Sequence, residues 1–279
     1  MKRTTYAVVA ALSLTMMACE RADNVAANDG AASEAEAADL GSLNGVWEAD
    51  LASVKFEGKP DEFLLQGGTY KCNTCIPPLT AAADGQFHPV ADRPYYDSMS
   101  VKAVDDRTVE FRRRKGDREV GNNTLQVSAD GNTLTNKFHD ATTPGSEFDG
   151  TTTLRRAGPA PAGAHAVSGQ WTPDKVGNYT PEALRLSYQV DGNKVTSSVQ
   201  GQTYAAEIGG PAVAVQNDPG GTTVAVVREG AGLKETYTRD GKQVAIVTVV
   251  PNSEGTSVTI TSSDPRDGSK VSWTANKRS

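Results

Sequence analysis

Short runs in which apolar and polar residues alternate dominate the chain after residue 43, and this period predicts β-strands. In the first half the runs are Phe63–Leu65, Ser98–Val104, Thr108–Arg113, Asn123–Val127, Thr133–Phe138 and Thr151–Arg155. In the second half they are Leu184–Val190, Lys194–Val199, Thr222–Val227, Leu233–Tyr237, Val244–Val250, Ser257–Thr261 and Lys270–Thr274. Asp-Gly pairs, which favour hairpin turns, begin at Asp84, Asp130, Asp149, Asp191, Asp240 and Asp267. The pattern therefore predicts an all-β fold of antiparallel meanders.

The pattern occurs twice, which predicts two tandem domains. Leu43–Trp47 (LNGVW) recurs 124 residues later as Val167–Trp171 (VSGQW). Residues 157–166 are rich in Pro, Ala and Gly and predict a linker between the copies. We therefore expect one β-barrel over residues 43–156 and a second over 167–279, each able to fold alone. With roughly eight strands apiece, both should be closed or nearly closed, which removes exposed sheet edges.

The amino-terminal residues predict export to the cell envelope. Lys2 and Arg3 precede an apolar stretch, Ala7–Met17, that is shorter than the about 20 residues needed to span a bilayer and fits a secretory signal. A Met-Met-Ala-Cys sequence that resembles a bacterial lipobox ends at Cys19. We expect residues 1–18 to be a lipoprotein signal peptide and Cys19 to carry acyl chains such as palmitate. The alternative is an ordinary cleaved signal.

Charge and composition separate a tether from the folded part. Without residues 1–18 the chain has 26 basic and 34 acidic residues, so its net charge changes from −6 to −8. Six of those acids, with a single Arg, lie in residues 20–42, where there is almost nothing to bury. Residues 19–42 are therefore predicted to be a disordered acidic tether. The folded part has no basic excess, which excludes a typical nucleic-acid partner.

The Gly-x-Trp motifs at Trp47 and Trp171 resemble the first motif of the lipocalin-like (calycin) barrels. In that superfamily the Trp closes one barrel end beneath a basic residue of the last strand, so the resemblance implies this structural role for both tryptophans. The basic residues at that place are Arg155 or Arg156 in the first copy and Lys277 or Arg278 in the second. The first copy also looks like uncharacterised bacterial exported proteins with this repeated domain, in Gly68–Pro78, His88–Val90, Pro94–Asp97 and Val104–Glu110. The resemblance carries no activity.

Cys72 and Cys75 are the compact reactive motif. In a straight strand their Cα atoms would lie about 10 Å apart, so a disulfide requires a turn at Asn73-Thr74. In an oxidising compartment we predict that disulfide. A redox-active dithiol is an alternative, although Pro77 and the following Pro forbid the helix such motifs open. A zinc site would need two further ligands from the three histidines, so we expect no metal and no cofactor.

Polar and aromatic residues of the first copy suggest a binding rim. The candidates are His88, Arg93, Tyr95, Tyr96 and Asp97. The second copy lacks the cysteines and the Tyr pair, so we expect any site to lie on the first domain. The alternative is a Pro-stiffened loop whose Tyr rings cover the barrel and whose Asp97 accepts from backbone amides.

These features predict a function without naming a ligand. The leading hypothesis is a non-enzymatic, lipid-anchored envelope protein, in the outer membrane facing the periplasm. It would bind a small ligand, for example a lipophilic one, or another envelope component. A protein-binding inhibitor or assembly factor of the periplasm is the second hypothesis. A thiol-disulfide redox protein using Cys72 and Cys75 is the third. A continuous apolar interior would favour ligand binding, whereas filled barrels with a protruding loop would favour protein binding.

Overall fold

The computed structural model describes residues 40–278, which form an all-β structure with two nearly closed antiparallel barrels. This confirms the predicted fold class and is consistent with the two-domain lipocalin-like fold that the resemblance implies. The predicted signal peptide, Cys19 and most of the predicted tether lie outside the described residues. Within residues 40–278, no helix has the length and apolar character needed to cross a membrane.

The strands of the first half are β1 (Gly45–Ala49), β2 (Lys55–Glu57), β3 (Asp61–Gln66), β4 (Thr69–Cys72), β5 (Leu79–Ala82), β6 (Asp84–Pro89), β7 (Ser98–Asp105), β8 (Thr108–Lys115), β9 (Arg118–Val127), β10 (Thr133–Asp140), β11 (Phe148–Arg156) and β12 (Gly169–Gly177). Those of the second half are β13 (Arg185–Asp191), β14 (Lys194–Val199), β15 (Gln202–Glu207), β16 (Val213–Ala214), β17 (Thr223–Glu229), β18 (Gly232–Arg239), β19 (Lys242–Pro251), β20 (Ser257–Ser263) and β21 (Lys270–Lys277). Short 3₁₀ helices cover Leu40–Leu43, Leu51–Ser53 and Pro181–Leu184.

The first barrel is a continuous piece of chain. Strands β3 to β12 form a ten-stranded antiparallel sheet in which β12 returns to pair with β3. The seam lies between β5 and β6, the two ends of this sheet, which Ala83 connects. Its core contains Phe63, Tyr70, Phe111 and Trp171. The barrel has more strands than the predicted eight because β4 to β6 fall in a stretch without a clear alternating pattern.

The second barrel is completed by a strand that is distant in the sequence. Strands β13 to β21 lack one neighbour, and β1 fills the gap by pairing with both β13 and β21. Strand β2 pairs with the first residues of β21, on the same edge that pairs with β1. At the seam, Thr203 and Gln216 exchange backbone hydrogen bonds of 3.2 and 2.7 Å. The sheet orders of the two barrels match strand for strand, with β1 at the place that β12 has in the first.

The structure therefore divides the chain differently from the sequence repeat. The predicted first domain, 43–156, contains β1, which belongs to the second barrel, and lacks β12, which closes the first. The predicted linker, 157–166, connects β11 to its own neighbour β12 within one barrel. The physical reason is that both strands carry the same Gly-x-Trp motif, so the local pattern does not distinguish which barrel each strand closes. The chain crosses between barrels at residues 58–60 and 178–184.

Each tryptophan lies in the barrel that its strand closes, so the two strands and their tryptophans are exchanged between the sequence copies. Trp171 lies under Arg156, whose guanidinium carbon is 4.1 Å from the ring centroid, and Trp47 lies under Lys277, whose Nζ is 4.9 Å away. Each indole N–H donates to a carbonyl four residues earlier, at 2.9 Å in both barrels. A basic residue of the last strand thus covers each Trp, but the pairing expected within each copy is wrong, since each Trp pairs with the other copy.

Ordered structure begins before the predicted boundary at residue 43. Leu40 and Leu43 pack in the core of the second barrel, next to Trp47. These two leucines bury apolar area in that core. The acidic composition of the residues before them had indicated that there was almost nothing to bury. The tether can therefore extend no further than residue 39.

Among the described residues, two of the contacts between the barrels involve side-chain hydrogen bonds. Arg239 of β18 lies 4.9 Å from the ring centroid of Tyr95 and donates a hydrogen bond to its hydroxyl. Gln202 of β15 donates from Nε2 to Thr143 Oγ1 at 3.3 Å. Both contacts join a second-barrel strand to a first-barrel loop.

A fragment of residues 58–180 should fold alone, whereas residues 43–157 should not. The first fragment has all ten strands of its barrel, while the second leaves β3 and β11 as unpaired edges and β1 without partners. Each fragment contains a single tryptophan, Trp171 or Trp47, so fluorescence reports directly on closure. We expect blue-shifted emission and cooperative urea unfolding for 58–180, and solvent-like emission for 43–157.

A substitution inside the 58–180 fragment measures how much the buried tryptophan contributes to the stability of the closed barrel. Trp171→Ala should lower the free energy of unfolding by about 3–5 kcal/mol, the usual range for a buried large aromatic. Val104→Ala, at an exposed position, should change it by no more than about 0.5 kcal/mol. Cooperative folding of 43–157 with a buried Trp47 would contradict the exchange of strands.

Candidate functional site

A buried carboxyl group inside the second barrel accepts hydrogen bonds from three tyrosines. Glu235 lies in β18 and is 1% exposed. Its Oε1 accepts from the hydroxyls of Tyr188 and Tyr204, both at 2.7 Å, and its Oε2 accepts from the hydroxyl of Tyr237 at 2.6 Å. Sequence reasoning missed this cluster, because its members are spread over three strands and only the barrel brings them together.

Strand alternation explains why Glu235 points inward. It follows Leu233 by two residues on the same face of β18, and Leu233 is fully buried. Directly opposite Glu235 on the neighbouring strands are Val226 and Val247, which are also buried. The carboxyl group is therefore enclosed by apolar side chains, and the tyrosine hydroxyls provide its polar contacts.

The environment changes the protonation of the cluster. Burial raises the pKa of Glu235, against the effect of the three hydroxyls, which favour its ionised form. Burial and the nearby Glu235 charge raise the pKa values of Tyr188 and Tyr204 well above their usual range. These two phenols consequently keep their protons at physiological pH and act as donors.

A small cavity of about 30 Å³ adjoins Glu235. A water molecule needs about 10–15 Å³ measured in this way, so the cavity has room for roughly two water-sized groups. Gln202 contributes to its wall and is 7% exposed. Its Oε1 is buried and has no hydrogen-bond partner among the described residues. Ser197 and Thr203 add hydroxyl groups to the lining, and the rest is aliphatic: Leu186, Val199, Val215, Val247 and Ile260.

The first barrel has different chemistry at the equivalent place. In the first barrel Trp171 is the strand-pairing partner of Asp61, and in the second barrel Trp47 is the partner of Leu186. Counting along the strand register from these two pairs gives the residues that occupy the same position in each barrel. Phe63, Cys72, Leu79, Phe111 and Arg113 correspond in this way to Tyr188, Ser197, Tyr204, Glu235 and Tyr237. The carboxyl-tyrosine cluster is thus a property of the second barrel, whereas sequence reasoning expected a site on the first.

The residues predicted to form a rim do not share one exposed surface. Tyr95 and Tyr96 are buried, Tyr95 at the contact with Arg239 and Tyr96 in the first core. Asp97 Oδ2 accepts the backbone N–H of Gly116 at 2.9 Å. Both tyrosine rings therefore cover apolar space and Asp97 accepts from a backbone amide, as in the alternative of a Pro-stiffened loop, and the binding rim stays a prediction.

The histidines lie apart from one another and from the cysteines. His88 Nε2 is 2.9 Å from Asp84 Oδ2, and its side chain is partly exposed. His139 Nδ1 is 3.0 Å from Asp149 Oδ1, and His165 Nε2 is 2.6 Å from the carbonyl of Asp105. Within residues 40–278, no group of three or more His, Cys, Asp or Glu is arranged to hold a metal ion.

The two cysteines form the predicted disulfide, with their Cα atoms 5.4 Å apart. It links the end of β4 to Cys75 within the loop, residues 73–78, that connects β4 to β5. On one side Asn73 donates to Glu62 through its backbone, at 3.2 Å, and through Nδ2, at 2.6 Å. On the other side Arg93 donates to the carbonyls of Ile76, Pro77 and Pro78 at 3.1, 2.5 and 3.1 Å.

The equivalent hairpin of the second barrel shows why this loop is unusual. It has the same length, but β14 and β15 continue to pair up to a tight turn at Gln200-Gly201. Pro77 and Pro78 have no N–H for such a ladder, so residues 73–78 cannot extend the strands. Asn73, Pro77 and Pro78 are exposed. The loop is therefore held rigidly by the disulfide and Arg93 while its tip faces solvent.

Comparison with known proteins adds no relative: no protein-family model, curated protein or solved structure matches the chain.

The free energy of unfolding should depend on pH through Glu235. Because its folded-state pKa is raised, the native state retains a proton that the unfolded state releases above pH about 4.5. Stability should therefore fall as pH rises from there through the raised pKa, by up to about 1.4 kcal/mol per pH unit. Glu235→Gln should remove this component, which urea titrations between pH 4 and 8 will measure.

The matched control is Glu229→Gln, which removes an exposed carboxylate of the preceding strand, 3.5 Å from Lys234. This variant should keep the pH dependence of the wild type. Equal slopes for wild type and Glu235→Gln would show that Glu235 does not titrate in this range.

Proposed function

We propose that the chain is a non-enzymatic, lipid-anchored protein of the cell envelope that binds another envelope protein through the loop at residues 73–78. The observation that carries this proposal is the rigid, exposed loop of the first barrel. An inhibitor or an assembly factor of the periplasm would both act in this way.

Rigidity is the property that suits the loop to protein binding. Association costs about 0.5–1.5 kcal/mol for each side chain that must be immobilised, and a segment already held in place avoids much of this cost. The disulfide and the three hydrogen bonds from Arg93 hold the backbone before any partner arrives. The exposed prolines and half-buried Ile76 offer a partner an apolar tip on a polar base.

The other two hypotheses are less well supported by the geometry. Pockets for small organic ligands usually have volumes of about 300–1,000 Å³, whereas the cavity beside Glu235 has about 30 Å³. A lipophilic ligand would not fit there. Cys72 and Cys75 are at most 1% exposed, so a thiolate from another protein could not reach their sulfurs without opening the loop.

The anchoring part of the proposal rests on the sequence. The apolar stretch before Cys19, the lipobox-like residues and the acidic stretch after it favour acylation of Cys19 and export. A 20-residue flexible segment spans roughly 25 Å, which would hold the barrels clear of the lipid head groups.

A photo-crosslinking residue at Pro78 should capture a partner in intact cells of the source organism. Pro78 is exposed at the loop, and its carbonyl bond to Arg93 does not require a proline. The matched control position is Lys242, at an exposed hairpin tip of the second barrel. We expect a discrete adduct of fixed mass from position 78 and none from 242 on denaturing gels.

A second variant tests whether the loop's rigidity matters. Arg93→Gln should reduce the adduct from position 78 several-fold while leaving the circular dichroism spectrum unchanged. Arg155→Gln, which removes an exposed arginine paired with Asp174 at 2.8 Å, should have no effect. Adducts at 78 and 242 in equal amounts, or none at either position, would refute loop-mediated binding.

Cys19→Ala should release the protein from the membrane fraction. Without the acylated residue, nothing in residues 40–278 provides a spanning helix to retain it. Cell fractionation and immunoblotting will measure this, with Cys72→Ser/Cys75→Ser as the control that should remain in the membrane. A Cys19→Ala protein that still sediments with membranes would argue against anchoring at this residue.

A further inference from the structure

We infer that the cavity beside Glu235 is a binding site for a primary ammonium group. This inference goes beyond the proposed function and does not depend on it, because the cavity lies in the second barrel and the loop in the first. It follows from three observations: the balance of hydrogen-bond donors and acceptors, the unpartnered Gln202 oxygen, and the size and lining of the cavity.

The cluster has more acceptors than donors. An ionised carboxylate accepts about four hydrogen bonds. Glu235 receives three, two on Oε1 and one on Oε2, so Oε2 has capacity for another donor. The hydroxyl protons of Tyr188, Tyr204 and Tyr237 are all directed at Glu235 and cannot be offered elsewhere. A ligand for this site must therefore supply N–H or O–H protons.

Gln202 adds a second acceptor without a partner. Its Nε2 donates to Thr143 Oγ1 at 3.3 Å, which fixes the orientation of the amide from the first barrel. The amide oxygen is then directed away from that contact, is buried, and has no partner among the described residues. A buried carbonyl oxygen without a donor costs about 1–3 kcal/mol, which a bound N–H group would offset.

The charge and shape of the cavity favour a primary ammonium group. When Glu235 is ionised, a cation compensates its negative charge, and three N–H donors can reach more than one acceptor. Room for roughly two water-sized groups fits an ammonium head and one carbon, which would lie against the aliphatic lining. Divalent cations are less suitable, because Glu235 is the single carboxylate among the lining residues and Ca²⁺ takes 6–8 oxygen ligands.

The route of entry is indicated by two lining residues. Thr203 and Tyr237 line the cavity and are each half-buried, whereas Tyr188, Tyr204 and Glu235 are buried. A longer amine would place its ammonium group at Glu235 and its remaining carbons towards Thr203. Methylammonium is therefore the minimal probe for the site.

The test uses the full chain, purified in detergent and titrated calorimetrically with methylammonium chloride. Tetramethylammonium chloride has the same charge but no N–H and a larger head, and sodium chloride controls for ionic strength. We expect saturable binding of one methylammonium per chain and none of the other two. Equal heats from tetramethylammonium, or the absence of saturable methylammonium binding, would overturn the inference and assign the cavity to water.

Variants place the binding at this cavity. Glu235→Gln should weaken methylammonium binding about tenfold or more, because it removes the charge-assisted hydrogen bond. Gln202→Met, which keeps the volume and removes the acceptor, should weaken it several-fold and provides a second test if Glu235→Gln fails to fold. Glu229→Gln should bind as the wild type does. Unchanged affinity in a folded Glu235→Gln or Gln202→Met protein would also overturn the inference.

The outcome is independent of the loop hypothesis. Crosslinking from position 78 should be the same with and without methylammonium. A failure of one experiment therefore leaves the other interpretable.

Discussion

The closure of each barrel by a strand from the other sequence repeat is the constraint on which the structure depends. A meander that begins with β3 or with β13 has two edges, and its buried positions remain open to water until a Gly-x-Trp strand fills the gap. That strand contributes a large buried indole, whose N–H donates to a carbonyl four residues earlier. The indole ring also packs against the cationic side chain of Arg156 or Lys277. Exchange of the two strands ties the amino-terminal residues to the carboxyl-terminal strand.

The two barrels share a scaffold and differ in what fills it. At matching positions, one barrel has an aromatic and disulfide-containing interior around Phe111 and Cys72, while the other has Glu235 and its tyrosines. Exchanging Phe for Glu at such a position would ordinarily destabilise a core. Here the hydrogen bonds from the three tyrosine hydroxyls offset the cost of burying the carboxyl group. The glutamate is therefore tolerated together with the tyrosines and not by itself. The two barrels therefore enclose different chemical groups on the same scaffold.

The sequence predicts most of the strands, but it does not predict which distant strands pair or which polar side chains point into the barrels. Alternation and Asp-Gly turns locate strands such as β8 and β20, because those signals are local. Asp149-Gly150 misleads: both residues lie within β11, and a Cβ at Gly150 would be 2.3 Å from the Phe138 ring, so this Gly serves close packing rather than a turn. The strand exchange is invisible to local patterns because both segments carry the same Gly-x-Trp motif. Glu235 is hidden in the same way, since Lys234-Glu235-Thr236 has the composition of an exposed strand.

Strand exchange also sets an order of events during synthesis. The first barrel is one continuous piece and can close once β12 has emerged, whereas β1 pairs with β21 and must wait for residue 277. At about 5–20 residues per second, the delay from residue 49 amounts to roughly 10 to 50 seconds. Until β13 has been made, β1 has no partner strand of its own barrel, and the edge that pairs with β21 stays free to the end of the interval. In a crowded population of nascent chains, β1 could instead complete the barrel of a neighbour, so correct closure depends on how quickly each chain is finished relative to such encounters.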